Sequence, residues 1–100
     1  MLQKTKTELG RFRDFCLMKG TETYNYWHVN NCAAVQFLKF ERREHNAVSF
    51  SKINDIAGLA HASAGTQGRM PTFMDIVAEI DKLPRELVTV ASFTTPAHTA

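Results

Sequence analysis

Cysteine reacts as its thiolate, and the backbone N–H groups at a helix N-terminus favour that form. Cys32 stands in such a setting. Asn31 is a good helix cap, and the apolar run Cys32-Ala33-Ala34-Val35-Gln36-Phe37-Leu38-Lys39-Phe40 follows it. His28, His45 and His61 are the imidazoles that could act as its base. A cysteine-dependent hydrolase or transferase would use Cys32 as nucleophile, with His28 or His61 taking its proton. The competing reading is a buried, unreactive thiol in a central helix, the usual fate of cysteines outside disulfides. The sequence favours that second reading, and with it a non-enzymatic protein.

A second group of residues is suited to contact rather than reaction. Tyr24, Tyr26 and Trp27 fall within four positions, and such side chains supply large areas at protein interfaces. The same residues could equally form a lid over a small core. Arg11 and Arg13, and further along Arg42 and Arg43, add positive charge. Residues 1–20 carry Lys4, Lys6, Arg11, Arg13 and Lys19 against Glu8 and Asp14. These aromatic and basic residues are the candidate partner-binding set, with another protein as the leading partner. Nucleic acid is the weaker alternative. A phosphate-binding face needs concentrated charge, and the chain's net charge is only +2. Neither a tight turn between two consecutive helices nor a polar recognition helix is evident.

Other chemistries lack their residues. The two cysteines, Cys16 and Cys32, have no zinc-site spacing, and Asp55, Asp75, Glu79 and Asp81 form no ligand pattern. Gly65-Thr66-Gln67-Gly68-Arg69 has two glycines and a basic residue but not the spacing or lysine of a phosphate loop. No metal and no cofactor is expected. No apolar run approaches the roughly 18 residues of a membrane span, and Met1-Leu2-Gln3-Lys4-Thr5-Lys6 is not a secretion signal. A cytoplasmic protein with reduced thiols, off the membrane, is the expectation.

The elements that must position these residues read as mainly α: a compact bundle of about four short helices. A short β-hairpin or strand pair would make the alternative class α+β. The first helix is expected over residues 7–19, or one turn earlier because Thr5 and Glu8 have capping-box spacing. Leu9, Phe12, Phe15 and Cys16 form its apolar stripe, widened by Leu17 and Met18, and Gly20 stops it. Residues 21–29 form the aromatic loop. The second helix starts at Asn31, is apolar nearly all round, and ends near residues 44–46. Val48 and Phe50 suggest a short strand. A third helix is expected over residues 51–62, with Ile53, Ile56, Ala57 and Ala60 inward and Gly58 weakening it. Residues 63–71 read as a loop. The fourth helix is capped by Thr72 with Asp75 three later. It follows Phe73, Ile76, Val77, Ile80 and Leu83 and is stopped by Pro84. Residues 85–93 could be strand or helix. One globular domain over residues 1–93 and a flexible tail over 94–100 complete the expectation. The apolar surface of the second helix and of residues 87–93 leaves a homodimer open.

Two resemblances bear on function. Asn31-Cys32-Ala33-Ala34-Val35-Gln36-Phe37-Leu38 resembles the nucleophile helix of NlpC/P60-type cysteine peptidases, but that family's histidine-bearing strand has no counterpart here. More broadly, the same string with Asn54-Asp55 and Thr72-Phe73-Met74-Asp75-Ile76-Val77 resembles a set of small bacteriophage and bacterial proteins with no assigned activity. That likeness spans about residues 9–83. It implies a phage-type protein that binds host or phage machinery, a defence system among the options.

Overall fold

The computed structural model describes residues 2–28 and 30–93, with backbone alone for residues 2–4 and 90–93. The chain is mainly α. Its order is β1 (Leu2–Lys6), α1 (Glu8–Lys19), α2 (Ala33–Glu41), α3 (Ala47–Thr66), α4 (Phe73–Asp81), a single 3₁₀ turn (Arg85–Leu87) and β2 (Thr89–Phe93). The tail expected over residues 94–100 lies outside the described residues. No helix among them is long and apolar enough to cross a membrane.

Phe12, Phe15 and Cys16 are buried and Leu9 half-buried, so the stripe of α1 turns inward as its spacing requires. Leu17 and Met18 do not widen that face. Both are exposed, because α1 is covered on one side only. The helix also starts later than the Thr5–Glu8 pair suggests. Thr7 is the cap, its hydroxyl oxygen accepting from the Gly10 N–H at 3.1 Å. Residues 2–6 instead pair antiparallel with β2, Leu2 opposite Phe93 and Lys6 opposite Thr89. A partner more than eighty residues away thus overrides a local capping signal. Residues 85–93 resolve into a 3₁₀ turn and a strand.

α2 corrects its expected limits at both ends. The Asn31 N–H donates to the His28 carbonyl in a turn, and Cys32, not Asn31, is the N-cap. At the other end Arg42 takes a left-handed conformation (φ 55°) and its N–H closes on the Leu38 carbonyl at 3.1 Å. The helix therefore stops at Glu41, and the chain turns back so that His45 reaches α1 (below). Nor is α2 apolar all round in its surroundings. Ala33, Ala34 and Phe37 are buried while Phe40 is exposed.

The strand expected at Val48 and Phe50 is helix. Asn46 caps α3 by accepting from the Ser49 N–H at 2.8 Å, so the helix begins before either residue. It also continues past residue 62 to Thr66, because buried Ala64 extends the inward row Ile53, Ala57, Ala60 by one turn. Only the remainder of the expected 63–71 loop is irregular, with Gly68 at φ 69°.

α4 is the helix the sequence describes best. Phe73, Ile76, Val77 and Ile80 are buried. The Thr72 N–H and hydroxyl donate to Asp75 Oδ2 at 2.7 and 3.2 Å, and Arg69 grips both carboxylate oxygens at 2.7 and 2.8 Å. Its last helical residue is Asp81, with Lys82 capping, so the helix ends before Pro84 forces it to.

α1 and α3 both pack on α4, and α2 lies across α3. The ring of Phe15 meets Phe37 of α2 and Phe73 of α4, at centroid distances of 5.7 and 5.9 Å. A backbone bridge between Thr23 and Thr72 ties the aromatic loop to the start of α4.

Two predictions follow from these contacts. A Cβ at Gly10 would sit 2.3 Å from the Val88 carbonyl oxygen, a backbone atom that cannot swing aside. Gly10→Ala is expected to destabilise the fold by about 1–3 kcal/mol, read by urea denaturation; unchanged stability would show that the two segments are not in contact. The Asp75 carboxyl is held below its ordinary range, first by the Arg69 hydrogen bonds and then by those from Thr72. A depressed carboxylate contributes stability above its unfolded pKa and loses it as pH falls through the folded one. Asp75→Ala should therefore cost about 1 kcal/mol at neutral pH. That gap from the native sequence should narrow below about pH 4, and a gap constant down to strong acid would contradict the assignment.

Candidate functional site

The aromatic loop divides its work between core and surface. Tyr24 is only 4% exposed, and its hydroxyl donates to the Ala57 carbonyl of α3 at 2.7 Å. Burial pushes its phenol pKa up, which keeps the hydroxyl a donor. Tyr24 is thus the lid residue. Two residues on, the Tyr26 ring lies over Gly58 of α3, where a Cβ would meet its hydroxyl oxygen at 2.9 Å. The glycine that weakens α3 by propensity is what lets the loop approach it. Tyr26 stacks on His61 at 5.3 Å with the planes 30° apart, and Trp27 stands edge-on to both, at 5.1 Å from Tyr26 and 5.6 Å from His61. Trp27 is nevertheless 74% exposed. The result is an outward indole propped by two rings, with its loop anchored below by the Tyr24 hydrogen bond.

The basic candidates are dispersed. Arg11 Nε donates to Glu41 at 3.0 Å, and Arg13 pairs with Asp81 at 2.7 Å. Both guanidiniums connect helices, α1 to α2 and α1 to α4. The second pairing also holds the Asp81 carboxyl below its ordinary range. Arg13 and Asp81 line a cleft of about 430 Å³ with Lys6, Asp14 and Arg85, and Lys6 pairs with Asp14 across it. Arg42 and Arg43 are exposed just beyond α2. They precede the start of α3, whereas His61 lies fourteen residues along that helix from Ala47, about 21 Å at 1.5 Å per residue. The aromatic cluster and the Arg42–Arg43 pair therefore sit toward opposite ends of α3.

The catalytic candidates are not arranged as an open site. Cys32 is 2% exposed within the core that includes Phe37 and Ala34, and it forms no disulfide with Cys16. His28 is exposed in the loop, and His61 is committed to Tyr26 and Trp27. No group of three or more His, Cys, Asp or Glu side chains among the described residues is arranged to hold a metal ion.

One polar cluster joins residues that the sequence reading does not group. The His45 side chain, 5% exposed, meets Glu8 of α1 through Nδ1, while its Nε2 lies 3.8 Å from Glu41 Oε1 without a hydrogen bond. Arg11 neutralises Glu41 from the other side. The partners of this imidazole are carboxylates and not a nucleophile, so the cluster fastens the start of α1 to the end of α2. Glu41 and His45 are four residues apart, but no sequence spacing announces that Glu8 of α1 meets them.

No family model, curated protein or solved structure matches this chain.

The geometry sets an expectation for the thiols. Burial pushes the Cys16 thiol pKa well above its ordinary value, and the Cys32 side chain is out of a reagent's reach in the core. Neither should be alkylated by iodoacetamide at neutral pH until denaturant unfolds the chain, as followed by intact mass. Rapid labelling of folded protein at Cys32 would revive the cysteine-enzyme reading.

Proposed function

We propose that this chain is a small, non-enzymatic protein-binding module whose contact surface centres on Trp27. The observation that carries the reading is the propped indole. A tryptophan side chain this exposed would ordinarily gain by folding back onto the protein, since burying large apolar area is favourable. Here Tyr26 and His61 hold it outward while Gly58 and the Tyr24–Ala57 hydrogen bond fix the loop beneath. A preorganised aromatic loses little conformational entropy on binding, which is the character of an interface anchor. The basic residues fit the reading less directly, because Arg11 and Arg13 are occupied in pairs between helices and Arg43 Nε lies 4.0 Å from Glu41, whereas exposed Arg42 is placed for an acidic partner. The likeness to small phage proteins makes phage or host machinery, including defence systems, the first place to seek that partner. The reduced cytoplasm suits two buried thiols that are not joined.

The test compares Trp27→Ala with the native sequence. The ring contacts of the indole with Tyr26 and His61 lie at the surface, so the variant should keep its helical circular dichroism and lose about 1 kcal/mol of stability or less. Proteins cross-linked and retained by the native chain should be lost from the variant. Identical retained sets from both would overturn Trp27 as the anchor.

A further inference from the structure

α3 has a face that none of the described residues cover. Its core row is Ile53, Ala57, Ala60 and Ala64. On the opposite side run Val48, Lys52, Asp55, Leu59, Ala62 and Thr66, all exposed. Their separations are four, three, four, three and four residues, the spacing of a seam between two packed helices. Val48 is 70% and Leu59 56% exposed, both large apolar side chains on a long helix. Among the described residues neither Lys52 nor Asp55 has an ion-pair partner, although every other helix carries at least one paired charge.

From this face we infer that the chain self-associates: α3 packs antiparallel against α3 of a second copy, about a two-fold axis passing between residues 53 and 54. In that register each Val48 meets Leu59 of the other copy, and each Lys52 meets Asp55 of the other copy. Two apolar contacts then flank two ion pairs, and the patch is self-complementary, as a two-fold interface requires. The charges also exclude the competing arrangements. A parallel pairing in register sets Lys52 against Lys52 and Asp55 against Asp55. Antiparallel pairings centred on either residue set like against like in the same way. Beside the seam, Lys52, Ile53 and Ile56 border a groove of about 440 Å³ whose other walls include Leu9, Leu83 and Leu87, which widens the apolar area next to the axis. His61, which stacks with Tyr26 and Trp27, lies on a different face of α3 from the seam, and the inference stands on other residues than the function proposed above.

Sedimentation velocity from micromolar to millimolar protein tests the inference. The native chain should shift from monomer to dimer over that range, and the dimer should weaken with added salt as its ion pairs are screened. Lys52→Asp and Asp55→Lys should each weaken dimerisation by about tenfold or more, because each sets like charges together. The double variant carrying both exchanges should restore it. All four positions face solvent, so circular dichroism should be unchanged throughout. A native chain that stays monomeric at every concentration would overturn the inference and give the seam to some other partner. Single variants that dimerise like the native chain, or a double variant that does not recover, would overturn it too.

Discussion

The phenyl ring of Phe15 is the point on which the rest of the molecule is hung. It lies on α1 and touches Phe37 and Phe40 of α2 and Phe73 of α4. Phe12 joins Phe37 at 5.1 Å, and Tyr24 joins Phe73 at 5.4 Å. One run of rings thus links two tertiary neighbours of α1 and continues to the aromatic loop. Aromatic pairs contribute about 0.5–1.5 kcal/mol each beyond their buried area, and in a chain of this length such a run is a large part of what orders the helices. Around it the alanines Ala33, Ala34, Ala57 and Ala60 are fully buried, so the remaining helix approaches can be close.

From that centre the chemistry of the surface follows in sequence. Tyr24 reaches α3 with its ring against Phe73 and its loop tied to α4 by the Thr23–Thr72 bridge, and Tyr26 and Trp27 follow it onto Gly58 and His61. The charged residues take the complementary role. Arg11, Arg13 and Arg69 are drawn into pairs that stitch helix to helix or close a helix start. Charge in this protein is largely structural and aromaticity is partly left outside, the reverse of what a basic composition first suggests.

Much of the architecture was legible because it is written locally. The stripes of α1 and α4, the Thr72–Asp75 cap and the stop at Gly20 need only neighbours within a few residues, and they read correctly. What misled was local pattern contradicted at a distance. Thr5 and Glu8 have the spacing of a cap, yet β2 claims residues 2–6 as strand. Val48 and Phe50 alternate like a strand, but Asn46 caps a helix across them. The same limit governs the site. The grouping of Tyr24, Tyr26 and Trp27 is visible in the sequence. Their division into buried anchor, strut and exposed indole depends on Gly58 and His61, more than thirty residues away. Glu41 and His45 are four apart, but they meet Glu8 only after α2 has turned back at Arg42, and no periodicity could have joined Glu8 to them.

The hydroxyl of Thr7, with the Leu87 and Val88 carbonyls as alternative acceptors at 2.6 and 2.9 Å, closes the start of α1 against residues some eighty positions later. During synthesis that closure has to wait. α1, α2 and α3 can emerge and begin to pack while the Thr7 hydroxyl and the β1 backbone still hydrogen-bond to water. The molecule is sealed only after residue 93 has left the ribosome. Until then the nascent chain presents an open strand edge, so for this protein the order of translation sets when it is most exposed to mispairing.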